Sequence, residues 1–356
     1  MSAHRRDARI SRRGLLGLAA LVALPAAGIG CSALKSDDVA TGTGKSTASG
    51  QVPVSEPSSA APTPEPFANA DPEQKLGGTV PFVPGKALFG SYLGLDGMEY
   101  AEALALRKKQ LGRSQRIVHL FYAWRDDLPS SVPYLPKGSI PMVSWRGTKH
   151  ETILSSEADE YIAASARRLK ALDQPVMLRW GWEMNGDWYA WGGFKNAQNA
   201  AGYVECYQKL WKIFDQEGAD NVSWVWSPNW NNSPNEPWNR MEAYYPGDEY
   251  VDWVGVSGYN LHKEDPATLF DPVYQKYSPV KPLIITEIGS VDRGGTSKAD
   301  WITDFAGYVE QRPAIGGVVW FDTDTHPSYP ERWRIDTDAA STAAYKAMAR
   351  SPRFSG

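Results

Sequence analysis

Two glutamates stand where a carboxyl group could do chemistry. Glu183 follows the apolar run 176–182 and precedes Met-Asn-Gly, and Glu287 ends the run 283–287 and precedes Ile-Gly. A carboxyl group at the end of a buried strand is costly unless it is solvated in a cleft or paired. For either residue alone, a salt bridge beneath the loops explains the position as well as catalysis does. The two together favour catalysis.

Two such carboxyl groups can divide glycoside hydrolysis between them. One protonates the leaving oxygen, while the other attacks the anomeric carbon or activates a water. A separation of about 5 to 5.5 Å gives a covalent intermediate and retention, whereas about 6.5 to 9.5 Å leaves room for water and gives inversion. The residues alone leave both outcomes open.

Aromatic residues are concentrated around the same predicted strand ends, in a chain with 15 tryptophans and 17 tyrosines. Indole rings pack on the apolar faces of sugars, and polar neighbours bond to the hydroxyl groups. One such tryptophan is more often core than binding surface, but their concentration predicts a cleft for several sugar units. The aromatic residues are Trp145, Trp182, Trp188, Trp191, Trp226, Trp230, Tyr259 and Trp320, with Asn185, Asn229, Asn260 and Asp322 as polar neighbours.

Composition excludes several other functions. The formal net charge of −4 provides no basic field for nucleic acid, so we expect a neutral substrate. The five histidines show no metal-ligand spacing, and we expect no metal. A serine or cysteine nucleophile is poorly supported, because no Gly-x-Ser-x-Gly elbow occurs and Cys206 lies within a predicted helix.

Eight short apolar runs alternate with longer segments, of which 158–172 and 200–217 have apolar residues at helical spacing. Continuous apolar character is typical of parallel strands that are buried on both faces. The pattern predicts a single (β/α)8 TIM barrel, whose active site lies at the carboxyl ends of the strands. The alternative is an open doubly wound sheet, but no Gly-rich phosphate loop follows the first run. The predicted strands are 87–93, 116–122, 140–145, 176–182, 222–227, 252–257, 283–287 and 316–321.

The N-terminal region predicts export. Residues 1–31 combine a cluster of arginines, including a twin-arginine pattern at Arg12 and Arg13, with a short apolar run that ends at Cys31. Cys31 is the candidate lipidation site, although the run has Gly28 where a bacterial lipobox usually has Leu. Residues 32–75 are rich in Ser, Thr, Pro and Ala, which predicts a flexible linker before a catalytic domain at 76–356. We expect a monomer anchored to the outer face of the cytoplasmic membrane.

Three segments, 182–191, 245–260 and 285–289, resemble glycoside hydrolase family 26 in the same order, within a likeness that spans most of residues 80–325. The resemblance implies a barrel of glycosidase clan A, Glu183 as acid/base, Glu287 as nucleophile, retention and no cofactor. It also implies that Tyr259 hydrogen-bonds the nucleophile and that Trp320 floors the subsite for the attacked sugar. The predicted substrate-binding residues are Trp145, Arg179, Trp182, Asn185, Trp188, Trp191, Trp226, Asn229, Tyr259 and Trp320.

Two departures bear on the substrate. Trp182 stands where mannanases of this family usually carry His, and Ser257 stands where an Asp often occurs. An endo-acting β-1,4-mannan hydrolase is the leading interpretation, with β-1,3/1,4-glucan, β-1,3-xylan or an envelope polysaccharide as alternative substrates. The rival from another class is a sugar-binding lipoprotein that retains the aromatic cleft without catalysis.

Overall fold

Eight parallel strands close into a barrel in their chain order, in a computed structural model that describes residues 63–324 and 333–356. The predicted (β/α)8 fold is confirmed, and each predicted strand is present with ends shifted by at most a few residues. The strands are β1 Leu88–Gly94, β2 Ile117–Tyr122, β3 Ile140–Trp145, β4 Val176–Trp180, β5 Val222–Trp226, β6 Trp253–Asn260, β7 Leu283–Ser290 and β8 Ile315–Thr323.

Helices cover the outside of the barrel. Both helices predicted from apolar spacing are present, as α3 Asp159–Lys170 and α4 Ala200–Gln216. The described segment 123–139 between β2 and β3 contains no α-helix, and 227–252 between β5 and β6 contains only three short 3-10 turns. The helices are α1 Tyr100–Leu111, α2 His150–Leu154, α3 Asp159–Lys170, α4 Ala200–Gln216, α5 Pro266–Tyr277, α6 Ser297–Glu310 and α7 Ala339–Arg350.

An apolar layer fills the base of the barrel, where the strands begin. Trp253 is fully buried in this layer, contacts Phe82 edge-on at 5.6 Å between ring centroids, and donates from Nε1 to the Gly77 carbonyl oxygen at 2.9 Å. The segment before β1 therefore closes the base. Apart from the ring of Phe82, the cluster consists of Val80, Leu88, Ile117, Ile140, Met142, Met177, Val225, Trp253, Ile284 and Val319.

Strand β7 carries an irregularity that aims two consecutive side chains into the barrel. Its register with β6 pairs Ile285 with Val256 and then Glu287 with Ser257, so Thr286 is an extra residue. The Thr286 hydroxyl lies 2.8 Å from that of Ser227. A β-bulge of this kind bends a strand and re-aims a side chain. It allows Glu287 to reach the interior beside Thr286.

The compact unit begins earlier than the predicted domain boundary at residue 76. It starts at Pro64, and Phe67 donates its backbone N–H to the Ser278 carbonyl oxygen at 2.8 Å and packs on Phe82. The end of the predicted linker therefore belongs to the base of the barrel. The predicted export signal, Cys31 and linker residues up to 62 lie outside the described residues. Among the described helices, none has the length and apolar character to cross a membrane.

Candidate active site

Glu287 lies at the carboxyl end of the barrel and is held by two side chains from other strands, β4 and β6. Its Oε1 forms an ion pair with Nη1 of Arg179, which is itself fully buried on β4. Its Oε2 accepts a hydrogen bond from the Tyr259 hydroxyl at 2.7 Å. Burial and the charge of Glu287 raise the Tyr259 pKa well above its usual value, so this hydroxyl keeps its proton. Both carboxylate oxygens are therefore fixed in direction.

Glu183 lies three residues beyond the end of β4, in the left-handed region of backbone space with φ of 53°. Non-glycine residues rarely adopt this conformation, and they often do so at functional sites. Its backbone N–H donates to the Ser227 carbonyl oxygen at 2.8 Å, and its Oε2 accepts from Trp188 Nε1 at 3.0 Å. The turn thus fixes the carboxyl group of Glu183 against β5 and its own loop.

The two carboxyl groups interact electrostatically. Burial, followed by the negative charge of Glu287, raises the Glu183 pKa to about 7, against a smaller lowering by Arg179. A carboxyl group with this pKa is still half protonated at neutral pH. It can therefore donate a proton near the pH at which most enzymes work.

Arg179 is the hub of a polar layer within the barrel. Besides Glu287, its Nη2 donates to the Ser257 hydroxyl oxygen at 2.5 Å and its Nη1 to the Ser144 hydroxyl oxygen at 3.4 Å. The guanidinium also lies over the Trp182 ring, 5.2 Å from the centroid. Arg179 therefore orients the Glu287 carboxylate from within the barrel and is not exposed on the cleft surface.

His119 continues this layer on β2. Its Nε2 lies 2.6 Å from the Ser144 hydroxyl oxygen, and both residues are fully buried. Burial and the nearby Arg179 cation lower the His119 pKa well below its usual value, so the imidazole is neutral. Neither residue was singled out from the sequence, and a single histidine on a buried strand is usually a core residue.

Three of the predicted tryptophans form a group around the loop that carries Glu183. Trp182 packs against Trp191 at 5.3 Å between ring centroids, and Trp191 stacks on Tyr189 at 4.3 Å. Trp182 and Trp191 are nearly buried, whereas the Trp188 side chain is 44% exposed while its Nε1 touches Glu183. Of these three tryptophans, Trp188 is therefore the one whose ring is accessible from solvent.

Other aromatic residues lie around Tyr259 and Trp182 and were not predicted. Tyr92 on β1 stacks on Phe321 at 5.0 Å between ring centroids, and Phe321 contacts the Tyr259 ring at 6.0 Å. Phe121 lies 5.4 Å from Trp182, and Trp333 lies 4.9 Å from Tyr259. Tyr92, Phe121 and Phe321 are partly exposed at strand ends, as a sugar-binding surface requires.

Trp145, Trp226 and Trp320 were predicted to bind substrate, and the structure does not bring them to the cleft. Trp145 is fully buried and stacks on Trp124 at 4.8 Å between ring centroids. Trp226 contacts Tyr277 of α5, and Trp320 contacts Tyr345 of α7. Side chains alternate between the two faces of a strand. The neighbours that face the interior are Ser144, Ser227 and Phe321, so these three indoles pack against the outer layer.

The predicted polar residues hold loops and strand ends in place. Asn185 is fully buried, donates from Nδ2 to the Asn229 carbonyl oxygen at 3.0 Å and accepts from the Asn229 backbone N–H at 2.8 Å. Asn260 donates to the Ser290 hydroxyl oxygen at 2.9 Å, and Asp322 forms a buried ion pair with Arg107 at 2.6 Å. Asn185 and Asp322 thus hold the loop after β4 and the end of β8 in place.

The comparison with known families decides the assignment. The model for "Glycosyl hydrolase family 26" matches residues 142–346, more than half of the chain and a region that contains both glutamates. The chain belongs to glycosyl hydrolase family 26. The family resemblance in the three motif segments is thereby confirmed.

Individual relatives of this family 26 chain differ in name. It is 32% identical over 277 residues to endoglucanase H of Acetivibrio thermocellus. This match covers 72% of this chain and 30% of that protein. It is 29% identical over 145 residues to a mannan endo-1,4-β-mannosidase of Bacillus subtilis, covering 38% of this chain and 36% of the relative. The matched region is thus about a third of the length of these curated relatives.

A solved structure of a Cellulomonas fimi endo-β-1,4-mannanase double mutant superposes with a TM-score of 0.57 at 18% identity. The superposition covers 76% of this chain and 72% of that chain. At this level of identity the likeness supports the fold of the family 26 chain and leaves its substrate to other arguments.

Proposed function

We propose that this chain is a retaining, endo-acting β-glycanase with Glu183 as acid/base and Glu287 as nucleophile. The observation that carries the proposal is the contrast between the two carboxyl groups. Glu287 is ion-paired with Arg179 and accepts from Tyr259, whereas burial and the charge of Glu287 raise the Glu183 pKa to about 7. Pairs of carboxyl groups in contrasting environments support division into proton donor and nucleophile.

In the first step, the Glu287 carboxylate attacks the anomeric carbon. The bond between that carbon and the leaving oxygen breaks, and Glu183 transfers its proton to the leaving oxygen. Arg179 and Tyr259 hold the attacking group in one orientation, which reduces the entropy cost of reaching the transition state.

In the second step, Glu183 acts as the base. Once Glu287 is a neutral ester, the charge that raised the Glu183 pKa is gone, so the pKa falls and the carboxylate that the first step produced stays ionised. Glu183 then takes a proton from water as the water attacks the anomeric carbon and displaces Glu287. Two inversions leave the β configuration in the product.

Two backbone chemistries are candidate substrates. β-1,4-Mannan is supported by the relatives named mannan endo-1,4-β-mannosidase and by the family resemblance. β-Glucan is supported by the match to endoglucanase H, which covers a larger share of this chain than the match to the mannosidase. Trp182 counts against mannan, because it stands where mannanases usually carry His. An indole at that position changes hydrogen bonding and shape near the scissile bond.

The proposal is tested by digesting β-1,4-mannan, mixed-linkage β-glucan, β-1,3-xylan and bacterial exopolysaccharides with the full chain. Glu287→Ala serves as the matched control. Release of oligosaccharides of several lengths by the parent alone supports an endo-acting enzyme and identifies the backbone. Tight binding of oligosaccharides without turnover of any glycan in the panel would instead favour the non-catalytic sugar-binding protein.

We also propose that the chain is exported and held at the cell surface through a lipid on Cys31. The arginine-rich start, the short apolar run and the Ser/Thr/Pro/Ala-rich segment that follows Cys31 support this proposal. Radiolabelled fatty acid should label the parent expressed in a bacterium but not Cys31→Ser, which should appear in the medium. Equal labelling of both proteins would contradict lipidation at Cys31. Size-exclusion chromatography of the Cys31→Ser protein should give a monomer.

A further inference from the structure

Trp333 packs against the tyrosine that holds the Glu287 carboxylate. Its indole lies 4.9 Å from the Tyr259 ring, measured between centroids, at an interplanar angle of 59°. Both rings approach Gly289, which lies directly opposite Tyr259 in the register of β6 with β7. A Cβ atom at Gly289 would lie 2.7 Å from Trp333 Cε3 and 3.1 Å from Tyr259 Cδ1. The indole therefore fills the space between the Tyr259 ring and the strand that carries Glu287.

The main chain around Trp333 is attached to the end of β8. The Trp333 N–H donates to the Thr323 carbonyl oxygen at 3.0 Å, and the Trp333 carbonyl oxygen accepts from Trp320 Nε1 at 2.7 Å. Two residues further on, the Ile335 N–H donates to Asp322 Oδ1 at 3.2 Å. Hydrogen bonds in both directions along the chain thus fix the place from which the indole projects.

Two arginines reinforce this attachment. Arg107 of α1 forms ion pairs with Asp322 at 2.6 Å and with Asp336 at 2.7 Å. Arg334 forms ion pairs with Asp324 at 3.0 Å and with Asp336 at 2.7 Å. Arg107 and Asp322 are fully buried, and removal of one partner from a buried pair is strongly unfavourable. The segment that carries the indole is therefore held to both β8 and α1.

We propose that Trp333 is a positioning residue that fixes the Tyr259 ring so that its hydroxyl group stays aimed at the Glu287 nucleophile. The role in catalysis rests on the proposed function, whereas the fixed hydroxyl group is a property of the folded chain. The Trp333 side chain is 1% exposed, so it offers no face to a sugar and acts through Tyr259. An attacking group that is held in its reactive orientation reaches the transition state at a lower entropy cost.

The first measurement determines whether the indole fixes the hydroxyl group, independently of turnover. The full chain is labelled with carbon-13 at the tyrosine ζ carbon, and the Tyr259 signal is assigned by its loss in Tyr259→Phe. In equal parts of H2O and D2O, a hydroxyl proton that exchanges slowly gives two ζ-carbon signals, whereas fast exchange gives a single one. We expect two Tyr259 signals in the parent and a single one in Trp333→Leu. Two signals in Trp333→Leu, or a single signal in the parent, would overturn the proposal.

The second measurement separates an effect through Tyr259 from a general loss of structure. With mixed-linkage β-glucan and soluble galactomannan as probes, Trp333→Leu should lower kcat by about 10- to 100-fold and change KM by less than about threefold. In the Tyr259→Phe background, the same substitution should change kcat by less than about threefold, because no hydroxyl group remains to be aimed. Losses that multiply in the double variant would overturn the proposal.

Trp211→Leu is the matched control. Trp211 of α4 also packs against a tyrosine, with its ring centroid 5.2 Å from that of Tyr250. Its replacement should leave kcat within about twofold of the parent, because it lies on an outer helix. A loss of kcat in Trp211→Leu as large as that in Trp333→Leu would attribute the effect to general destabilisation and overturn the proposal.

Trp333→Phe guards against a variant that fails to fold. It keeps an aromatic ring against Tyr259, so it should lose less kcat than Trp333→Leu, and this smaller loss should also vanish in the Tyr259→Phe background. Thermal unfolding confirms that each variant is folded.

The two proposals can fail separately. Collapse of the Tyr259 signals in Trp333→Leu, with neither glycan hydrolysed by the parent, would support the positioning contact and count against the proposed function. Hydrolysis by the parent with an equal kcat in Trp333→Leu would support the function and overturn the role of Trp333.

Discussion

The two ends of the barrel interior are built from the same eight strands, but the base is apolar and the carboxyl end holds polar and charged side chains. At the base, Met142, Met177 and Ile284 belong to an apolar cluster. Two residues further along β3 and β4, Ser144 and Arg179 begin the polar layer that surrounds Glu287. Alternate side chains of one strand thus serve packing at the start of the strand and catalysis at its end.

The comparison also concerns energy. Burial of Met177 or Ile284 stabilises the fold, because it removes apolar surface from water. Burial of Arg179 opposes folding unless its charge is paired, and Glu183 adds a backbone conformation that most residues avoid. We therefore expect substitutions at the two ends to have different effects. Those at the catalytic end should lower activity, and those at the base should lower the free energy of unfolding.

The largest effect is expected from Glu287→Gln. Without the nucleophile, kcat/KM should fall by at least about 10³-fold, because no covalent intermediate can form. The amide oxygen can still accept from Tyr259 or Arg179, so the protein should remain folded. Initial rates on the active glycan and thermal unfolding are the measurements. A folded Glu287→Gln protein with a rate near that of the parent would contradict the assignment.

A matched pair of alanine variants distinguishes the two glutamates. With an aryl glycoside of the active sugar and sodium azide, Glu287→Ala should yield the α-glycosyl azide, because azide enters the space left by the nucleophile. Glu183→Ala should yield the β-glycosyl azide, because azide displaces Glu287 from the intermediate. Reversed stereochemistry would exchange the roles.

The next effect is expected for the acid/base group. In the parent, kcat/KM should fall about tenfold per pH unit above about pH 7, because the proton that Glu183 must donate is lost as pH rises through its raised pKa. Glu183→Gln should lower kcat/KM by about 10²- to 10⁴-fold and remove this alkaline limb. The check is the pH profile of both proteins. An alkaline limb that persists in Glu183→Gln would assign it to another group.

A substitution at the base should give the opposite result. Ile284→Ala leaves a space in the fully buried cluster, which should lower the free energy of unfolding by about 2 to 5 kcal/mol. The catalytic layer lies higher in the barrel, so kcat at 25 °C should change less than about threefold while the protein stays folded. Urea denaturation and initial rates test the two parts. Loss of kcat in the folded variant would show that the two ends are coupled.

The smallest effect is expected from Trp188→Phe. The variant keeps an aromatic ring but removes the Nε1 donor to Glu183, a hydrogen bond that lowers the Glu183 pKa. The alkaline limb should therefore move upward by a few tenths of a pH unit. A downward shift would contradict the direction of this hydrogen bond.

The barrel could be predicted from the sequence, because a continuous apolar run identifies a parallel strand whichever strands lie beside it. Such a run shows no alternation of polar and apolar residues, so it does not reveal which side chains face the barrel interior. Ser144 and Arg179 could have served as markers, since a polar residue within such a run belongs to the interior layer. That reasoning would have placed Trp145 on the outer face beforehand.

Other parts of the site depend on long-range structure that a sequence pattern does not carry. The extra residue in β7 aims both Thr286 and Glu287 inward, against simple alternation. Trp333 reaches Tyr259 although it lies 74 positions away in the chain. The strand-end location of Glu183 and Glu287 was nevertheless predictable, because barrel active sites occur at those ends. Their catalytic roles stay predictions.

The most direct test of the account is proton NMR of the first products that the full chain releases from its active glycan. The double displacement through Glu287 predicts that the β-anomer of the new reducing end appears first and the α-anomer only later, by mutarotation. The α-anomer as first product would mean that water attacks directly. That result would contradict the role of Glu287 as nucleophile.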